Sequence, residues 1–168
     1  PSNLFVLPVN QAVIFPTLMA PLLVNESRFI GTVEEAINRQ RFIGLVLAKR
    51  DVTPQTSVED LYSVGTVVKI LKRLKMPDGS ISLLVHSVKR FQIKSVLSEK
   101  PHIVVESQYL DDEVEKSMEM DALTRTVISH VKKLSETNPF FTDEMRLAMV
   151  NAPVPGVVAD LVAFALGL

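Results

Sequence analysis

The residue pair best suited to catalysis in this chain is Ser129 and Lys132, which form an S-x-x-K pattern. In some acyl-transfer enzymes the lysine of this pattern helps to deprotonate the serine. Here both residues fall on the polar stripe of a predicted helix, together with Arg125 and Glu136. Because a solvent-exposed helix face explains this stripe without chemistry, we predict no catalytic residue in the chain.

The chain also lacks the residue spacing that is typical of metal-binding and phosphate-binding sites. The acidic run at residues 111–115 has neither the spacing nor the glycine of a calcium loop, and it suits the positive end of the helix that follows. No H-x-x-x-H, H-E-x-x-H or G-x-x-x-x-G-K-[ST] pattern occurs. We therefore predict no metal and no cofactor in this chain. The histidines, which we interpret as surface or edge-strand residues, are His86, His102 and His130.

The amino-acid composition narrows the classes of protein to which this chain can belong. The chain has 168 residues, of which 47% are hydrophobic and 22% charged, so a folded core is expected rather than disorder. The net charge of -1 draws it neither to nucleic acid nor to anionic lipid. The absence of cysteine excludes disulfides, thiol catalysis and cysteine-based zinc sites. No stretch approaches the ~20 apolar residues of a membrane-spanning helix.

One local surplus of positive charge remains. A basic strand surface could contact phosphates, and β-barrel-like modules do bind RNA. Phe91 is the one aromatic residue there that could stack on a base, so solvated strand faces are the competing interpretation. The residues concerned are Lys69, Lys72, Arg73, Lys75, Lys89, Arg90 and Lys94.

The elements predict an α+β chain with a β-rich part over residues 1–110 and a helical part over residues 111–168. The strands include four in succession after Val64: "GTVVKIL", "ISLLVHSV", "RFQIKSVL" and "HIVVESQYL". In the helical part, the helical spacing of Met120, Leu123, Val127, Val131 and Leu134 predicts the apolar side of the first helix, and Thr142 can cap a second. The chain opens without Met and ends in "VVADLVAFALGL", so we expect it to continue into sequence that covers this apolar end.

An ordered set of segments resembles one family along the whole chain. "LPVNQAVIFPTLMAPLLV" is followed by "VEEAI", "IGLVLAKRD", "DLYSVGTVVKIL", "MPDGSISLLV", "KRFQI" and "VVADLVA". In this order they are similar to the amino-terminal domain of the Lon family of ATP-dependent proteases. The chain departs from the family at Asn10-Gln11, where Arg-Asp is usual, and at His86-Ser87, where Glu-Gly is usual.

The resemblance implies a PUA-like pseudo-barrel followed by a helical bundle, which takes part in substrate recognition and supports assembly of a homo-hexamer. ATP and Mg²⁺ would act in an ATPase module outside this chain, and a Ser-Lys peptidase module would cut misfolded and selected regulatory proteins. It also implies a protein of the bacterial cytoplasm or the mitochondrial matrix, with no membrane partner. A stand-alone LON-domain adaptor and an RNA-binding module are the alternatives.

The resemblance also gives a reason for Met76, which stands beside the Pro77-Asp78-Gly79 turn where a polar residue is usual. A domain that selects misfolded proteins must hold apolar segments without fixed sequence, and the unbranched thioether of methionine adapts to many shapes. The alternative is that Met76 folds back onto its own sheet and Met19 covers the end of the barrel. The candidate substrate-binding residues are Met76, Pro77, Leu18, Met19 and Pro21.

Overall fold

A computed structural model describes residues 2–10, 14–136, 143–152 and 154–166. The described chain has the α+β class that the sequence predicts, and it divides into two compact units, Pro1–Asp111 and Asp112–Leu168. The first unit contains strands β1 (Asn3–Val9), β2 (Met19–Val24), β3 (Phe42–Leu47), β4 (Val64–Lys75), β5 (Ile81–Ser98) and β6 (Val104–Leu110), and helix α1 (Ser27–Arg39). The second contains helices α2 (Met118–Ser135), α3 (Asp143–Val150) and α4 (Pro155–Leu166).

The six strands form one mixed sheet in the order β2-β5-β4-β3-β1-β6. An additional pairing of β6 with β5 closes the last five strands of that order into a ring. Strand β2 stays outside the ring and pairs antiparallel with the first half of β5, from Met19 opposite His86 to Val24 opposite Ile81. The ring therefore has a three-stranded arm made of β2, β5 and β4.

Strand β5 differs from the prediction. The sequence suggested two strands, "ISLLVHSV" and "RFQIKSVL", but residues 81–98 form one strand of 18 residues. No glycine, proline or asparagine lies between Val88 and Arg90 to turn the chain. Register shifts in the β4–β5 and β5–β6 ladders bend the strand instead, so its first half pairs with β2 and its second half with β6.

The core of the ring forms around Phe91, whose side chain is fully buried. The phenyl group of Phe91 lies against Gly44 on β3, where an added Cβ would come within 2.6 Å of the Phe91 Cζ. At Gly65 on β4, an added Cβ would clash with the Leu45 backbone carbonyl and come within 2.7 Å of a methyl group of Val46. Both strands thus need glycine here, because the Phe91 side chain at Gly44 and the backbone of β3 at Gly65 occupy the space that a Cβ would take.

Helix α1 packs on β1 and β3 through one buried side, whose side chains differ in size: Phe29, Thr32, Val33 and Ala36. Its exposed Glu34 reaches the arm, where the carboxylate lies 3.4 Å from the Arg73 guanidinium and 3.5 Å from the Lys75 ammonium group. Exposed ion pairs of this kind contribute little to stability.

In the helical unit, Ser117 caps α2 by accepting the N–H of Met120 at 3.1 Å. Val131 on the predicted apolar side of α2 is buried, but Leu123, Val127 and Leu134 are exposed, so a buried side is wrong at these three positions. Helix α4 starts at the predicted Pro155 and buries Val158, Leu161 and Ala165. The predicted cap at Thr142 lies outside the described residues.

Within the described residues, no helix is both long and apolar enough to span a membrane.

Candidate functional site

The arm exposes one face of its three strands, which we call the outward face. Residues directly opposite each other in an antiparallel ladder share a face, and alternate residues along a strand return to it. The ladder registers therefore define three rows on this face: Met19 with His86 and Lys69, Pro21 with Leu84 and Lys72, and Leu23 with Ser82 and Leu74.

Large apolar side chains line β2 on this face, and Leu74 adds one on β4 next to the charged Lys69 and Lys72. Met19 is 59% exposed, and Leu23 and Leu74 are each 63% exposed. Pro21 is also exposed, whereas Leu84 on the central strand is half-buried. An exposed apolar stripe of this kind on a sheet marks a place where a partner can bury it.

The β4–β5 turn extends the outward face by one more residue. The Met76 N–H donates to the Ser80 carbonyl at 2.9 Å, and the Gly79 N–H donates back to the Met76 carbonyl at 3.0 Å. Gly79 has a φ of 87°, which glycine adopts without steric cost. Because Met76 continues the ladder two residues beyond Leu74, it lies on the same face, and it is 37% exposed.

A carboxylate stabilises this turn from within. Asp78 Oδ1 accepts the backbone N–H of Ser80 at 2.9 Å and its hydroxyl at 2.6 Å. These hydrogen bonds favour the charged form, so they lower the pKa of the Asp78 carboxyl below its ordinary value. The turn is therefore ordered by its own side chains while Met76 is left partly exposed.

A buried hydroxyl holds the loop that leads into β2. Ser87 Oγ accepts the Leu18 N–H at 2.8 Å and lies 2.6 Å from the Phe15 carbonyl, to which it donates. The Ser87 N–H donates to the Leu18 carbonyl at 2.8 Å. Leu18 is thus tied to β5 through both of its backbone groups, and this tie fixes where β2 begins.

The structure places the five sequence-predicted residues in two groups. Met19 and Pro21 lie on the outward face of β2, and Met76 lies at the far end of the same face, about 20 Å from Met19 along β5 at ~3.4 Å per residue. Pro77 is exposed at the turn. Leu18 is half-buried and has the opposite strand parity from Met19.

Two residues of this face were missed from the sequence, Leu23 and Leu74, which lie between the predicted groups. A signal for Leu23 was available, since Met19, Pro21 and Leu23 alternate on a single strand. Leu74 gave no such signal because it stands among basic residues and follows a register shift between Ile70 and Lys72. The outward face therefore joins the two predicted groups through residues that the sequence analysis did not select.

The basic residues of the strands do not share one environment. They are distributed as follows: Lys69 and Lys72 on the outward face, Arg73 and Lys75 beside Glu34, Lys89 paired with Asp111, Arg90 over the Phe15 ring at 5.8 Å, and Lys94 exposed in the second half of β5. Several of these cations are thus engaged by side chains of the protein itself.

Of the remaining residues that the sequence analysis considered, His86 lies on the outward face and the others lie apart from it. Ser129 and Lys132 are both exposed on α2, as is His130. His102 Nδ1 lies 3.0 Å from the Thr32 hydroxyl in the ring unit. Within the described residues, no group of three His, Cys, Asp or Glu side chains is arranged to hold a metal ion.

Comparison with known proteins identifies a family. Residues 3–168 match the model of the substrate-binding domain of ATP-dependent protease La (LON). The chain is 38% identical to the Lon protease of Treponema pallidum and 34% identical to that of Leptospira interrogans, in both cases over its whole length. It is 31% identical to the Lon protease of Escherichia coli over 94% of its length. The chain spans only 19–20% of these relatives.

Solved structures show the same fold. The N-terminal domain of a Mycobacterium avium complex Lon protease superposes with a TM-score of 0.62 at 16% identity, covering 97% of both chains. A Lon N-terminal domain protein from Xanthomonas campestris gives a TM-score of 0.58 at 19% identity, covering 98% of this chain and 99% of that one. Because the family model covers almost all of the sequence, this chain belongs to the LON substrate-binding domain family.

Proposed function

We propose that this chain is the amino-terminal part of an ATP-dependent Lon protease and that its outward face holds unfolded segments of substrate proteins. Its family membership and its sequence identity of 34–38% to two Lon proteases support this assignment. ATP, Mg²⁺ and a Ser-Lys peptidase site would belong to other parts of the protein. The whole protease would act as a homo-hexamer in the bacterial cytoplasm. Relatives about five times as long as this chain favour a protease over a stand-alone adaptor.

The observation that carries the proposal is the set of exposed apolar residues Met19, Pro21, Leu23, Leu74 and Met76 on the outward face, which they share with Lys69 and Lys72. It is a shallow strand surface rather than a deep pocket, so it can accept side chains of different shapes. Fully burying one Leu or Met side chain is worth about 1.5–3 kcal/mol. Several partial contacts of this size give weak binding that does not depend on one sequence, which suits recognition of misfolded chains.

The test is an NMR titration of the isotope-labelled chain with a reduced, alkylated model protein that cannot refold. We expect shifts at residues 16–24 and 74–80. The changes Leu23→Asp and Leu74→Asp should each weaken binding by about tenfold, because an unpaired carboxylate would enter an apolar contact. Neither change should unfold the domain, since both side chains are largely exposed.

The matched control is Leu97→Asp, which replaces another exposed leucine of β5, 51% exposed but in the half of the strand that pairs with β6. It should bind the unfolded protein as the unchanged chain does. Shifts that avoid the outward face, or equal losses for Leu97→Asp and Leu23→Asp, would contradict the proposed site.

A further inference from the structure

Strand β2 has one free edge. Among the residues that the structure describes, its only strand neighbour is β5. Leu18 directs its N–H and its C=O to Ser87 on β5, so alternate residues Ala20, Leu22 and Val24 also direct their backbone groups to β5. The N–H groups of Met19 and Leu23, and the carbonyls of Met19, Pro21 and Leu23, therefore point away from the sheet.

Proline at position 21 agrees with this parity. Proline has no N–H, so within a sheet it is confined to positions whose donor side faces solvent. At position 20 or 22 it would remove a ladder hydrogen bond to β5, but at position 21 it removes none. The sequence thus keeps the β2–β5 ladder intact and leaves the free edge with two donors and three acceptors.

A second copy of the chain is a poor partner for this edge. A symmetric antiparallel pairing of β2 with itself, centred on Pro21, would place Met19 opposite Leu23 and Pro21 opposite Pro21. The central pair would then have two carbonyls and no donor. A partner chain without proline at that point supplies the missing N–H, so the edge favours a different polypeptide over its own copy.

A cleft lies beside the end of this edge. It has a volume of about 210 Å³, and although Leu22, Leu23 and Val52 contribute apolar surface, most of its accessible surface is polar. A cavity of about 150 Å³ already accepts a benzene ring, so this cleft has room for one leucine or aromatic side chain. The polar residues Asn10, Asn25 and Glu26 border it.

We propose that a substrate segment binds in extended conformation as an added strand on the free edge of β2, with one of its alternate side chains in the adjacent cleft. This deepens the proposed function and rests on it, since it names the conformation in which the substrate is held. Main-chain hydrogen bonds supply contacts that do not depend on sequence, and alternate side chains reach the outward face. Extended apolar segments are selected, and helical ones are not.

The first test uses a peptide that alternates Val or Leu with Thr between terminal Glu residues, with binding to the 168-residue chain measured by fluorescence anisotropy. Two N-methylated versions are compared, one methylated at two Val or Leu residues and the other at two Thr residues. In an added strand only one edge of the peptide faces β2, so one version should lose at least tenfold in affinity and the other less than twofold. Equal affinities of the two versions, whether both retained or both lost, would overturn strand addition.

The second test changes the protein edge. Leu23→Pro and Leu23→Ala both shorten the side chain, but only Leu23→Pro removes the outward N–H. We expect Leu23→Pro to bind the peptide three- to tenfold more weakly than Leu23→Ala, because one main-chain hydrogen bond is lost. Thermal unfolding should show that both variants are folded. Equal binding by two folded variants would count against the inference.

Hydrogen exchange separates this inference from the proposed function and from self-association. Peptide should protect the Met19 and Leu23 amides while leaving those of Ala20 and Leu22 unchanged. If unfolded protein binds the outward face but neither amide is protected, the proposed function stands and strand addition fails. If both amides become protected with rising protein concentration and no peptide, a second copy occupies the edge and the inference is wrong. If neither peptide nor unfolded protein binds, both proposals fail.

Discussion

The two halves of β5 show how one strand serves two purposes. Its second half, from Phe91 to Ser98, pairs with β6 and completes the ring, and Phe91 is fully buried. Its first half, from Ile81 to Ser87, is the central strand of the arm, where buried and half-buried residues alternate. One half lies in a closed sheet, and the other lies one strand from a free edge.

The contrast between the two halves of β5 shows where a binding surface can lie without loss of folding stability. Closure of the ring buries Phe91 between β3 and β4, so changes around Phe91 act on folding. The arm keeps Ile81, Leu83 and Val85 in the core and exposes the opposite side of the same strands. Apolar residues on that opposite side can be replaced with little effect on folding. The comparison therefore predicts that stability and binding respond to different substitutions.

The largest effect is expected in the ring, for Gly44→Val. The new side chain would meet the buried Phe91 ring, and overpacking of this kind costs about 1–3 kcal/mol. Urea denaturation should show the loss. The matched control is Gly31→Ala in α1, where an added Cβ would lie 3.6 Å from His102 Cε1, an ordinary contact. Alanine there should stabilise the domain by about 0.5–1 kcal/mol, and a loss as large as that of Gly44→Val would contradict this account of the ring.

The next effect is expected in the arm, for Met76→Glu. Stability should be unchanged, but binding of an unfolded protein should fall by about tenfold, because the carboxylate would enter an apolar contact. Met76→Ser should cost less, roughly threefold, because Met76 is already partly covered in the free domain. Isothermal titration gives the affinities, and urea denaturation checks the fold. Binding by Met76→Glu equal to that of the unchanged chain would reduce residues 76–79 to a structural turn.

The sequence predicted the elements better than their arrangement. The turn at Pro77-Asp78-Gly79 carried its own signal in residue types, and it forms where predicted. Closure of the ring by β6 and the free edge of β2 had no local signal, because both depend on which strands meet. For the same reason, only some residues of the outward face could be predicted from the sequence. Met76 and Met19 drew attention by residue type, whereas Leu74 joined them only through the ladder register.

A smaller effect is expected for Ser87→Ala, which leaves the Leu18 N–H and the Phe15 carbonyl without the hydroxyl that joins them to β5. We expect a loss of about 1 kcal/mol and faster hydrogen exchange at the Leu18 amide. Ser82→Ala on the outward face serves as the control and should change neither quantity. Unchanged exchange at Leu18 in Ser87→Ala would show that the loop is held by other contacts.

The smallest effect concerns the turn in acid. Because hydrogen bonds from Ser80 lower the Asp78 pKa in the folded state, the charged carboxylate stabilises the turn at neutral pH. That contribution is present above the pKa of the unfolded chain, about 3.9, and is lost as the pH falls through the lower pKa of the folded chain. Hydrogen exchange at the Ser80 amide, corrected for intrinsic rates, should therefore show loosening below about pH 4. Asp78→Asn keeps an acceptor without a titrating group, so its turn should not respond in this range. An Asp78 carboxyl that titrates above its ordinary value, or equal acid responses in the two proteins, would show that another group controls the turn that presents Met76.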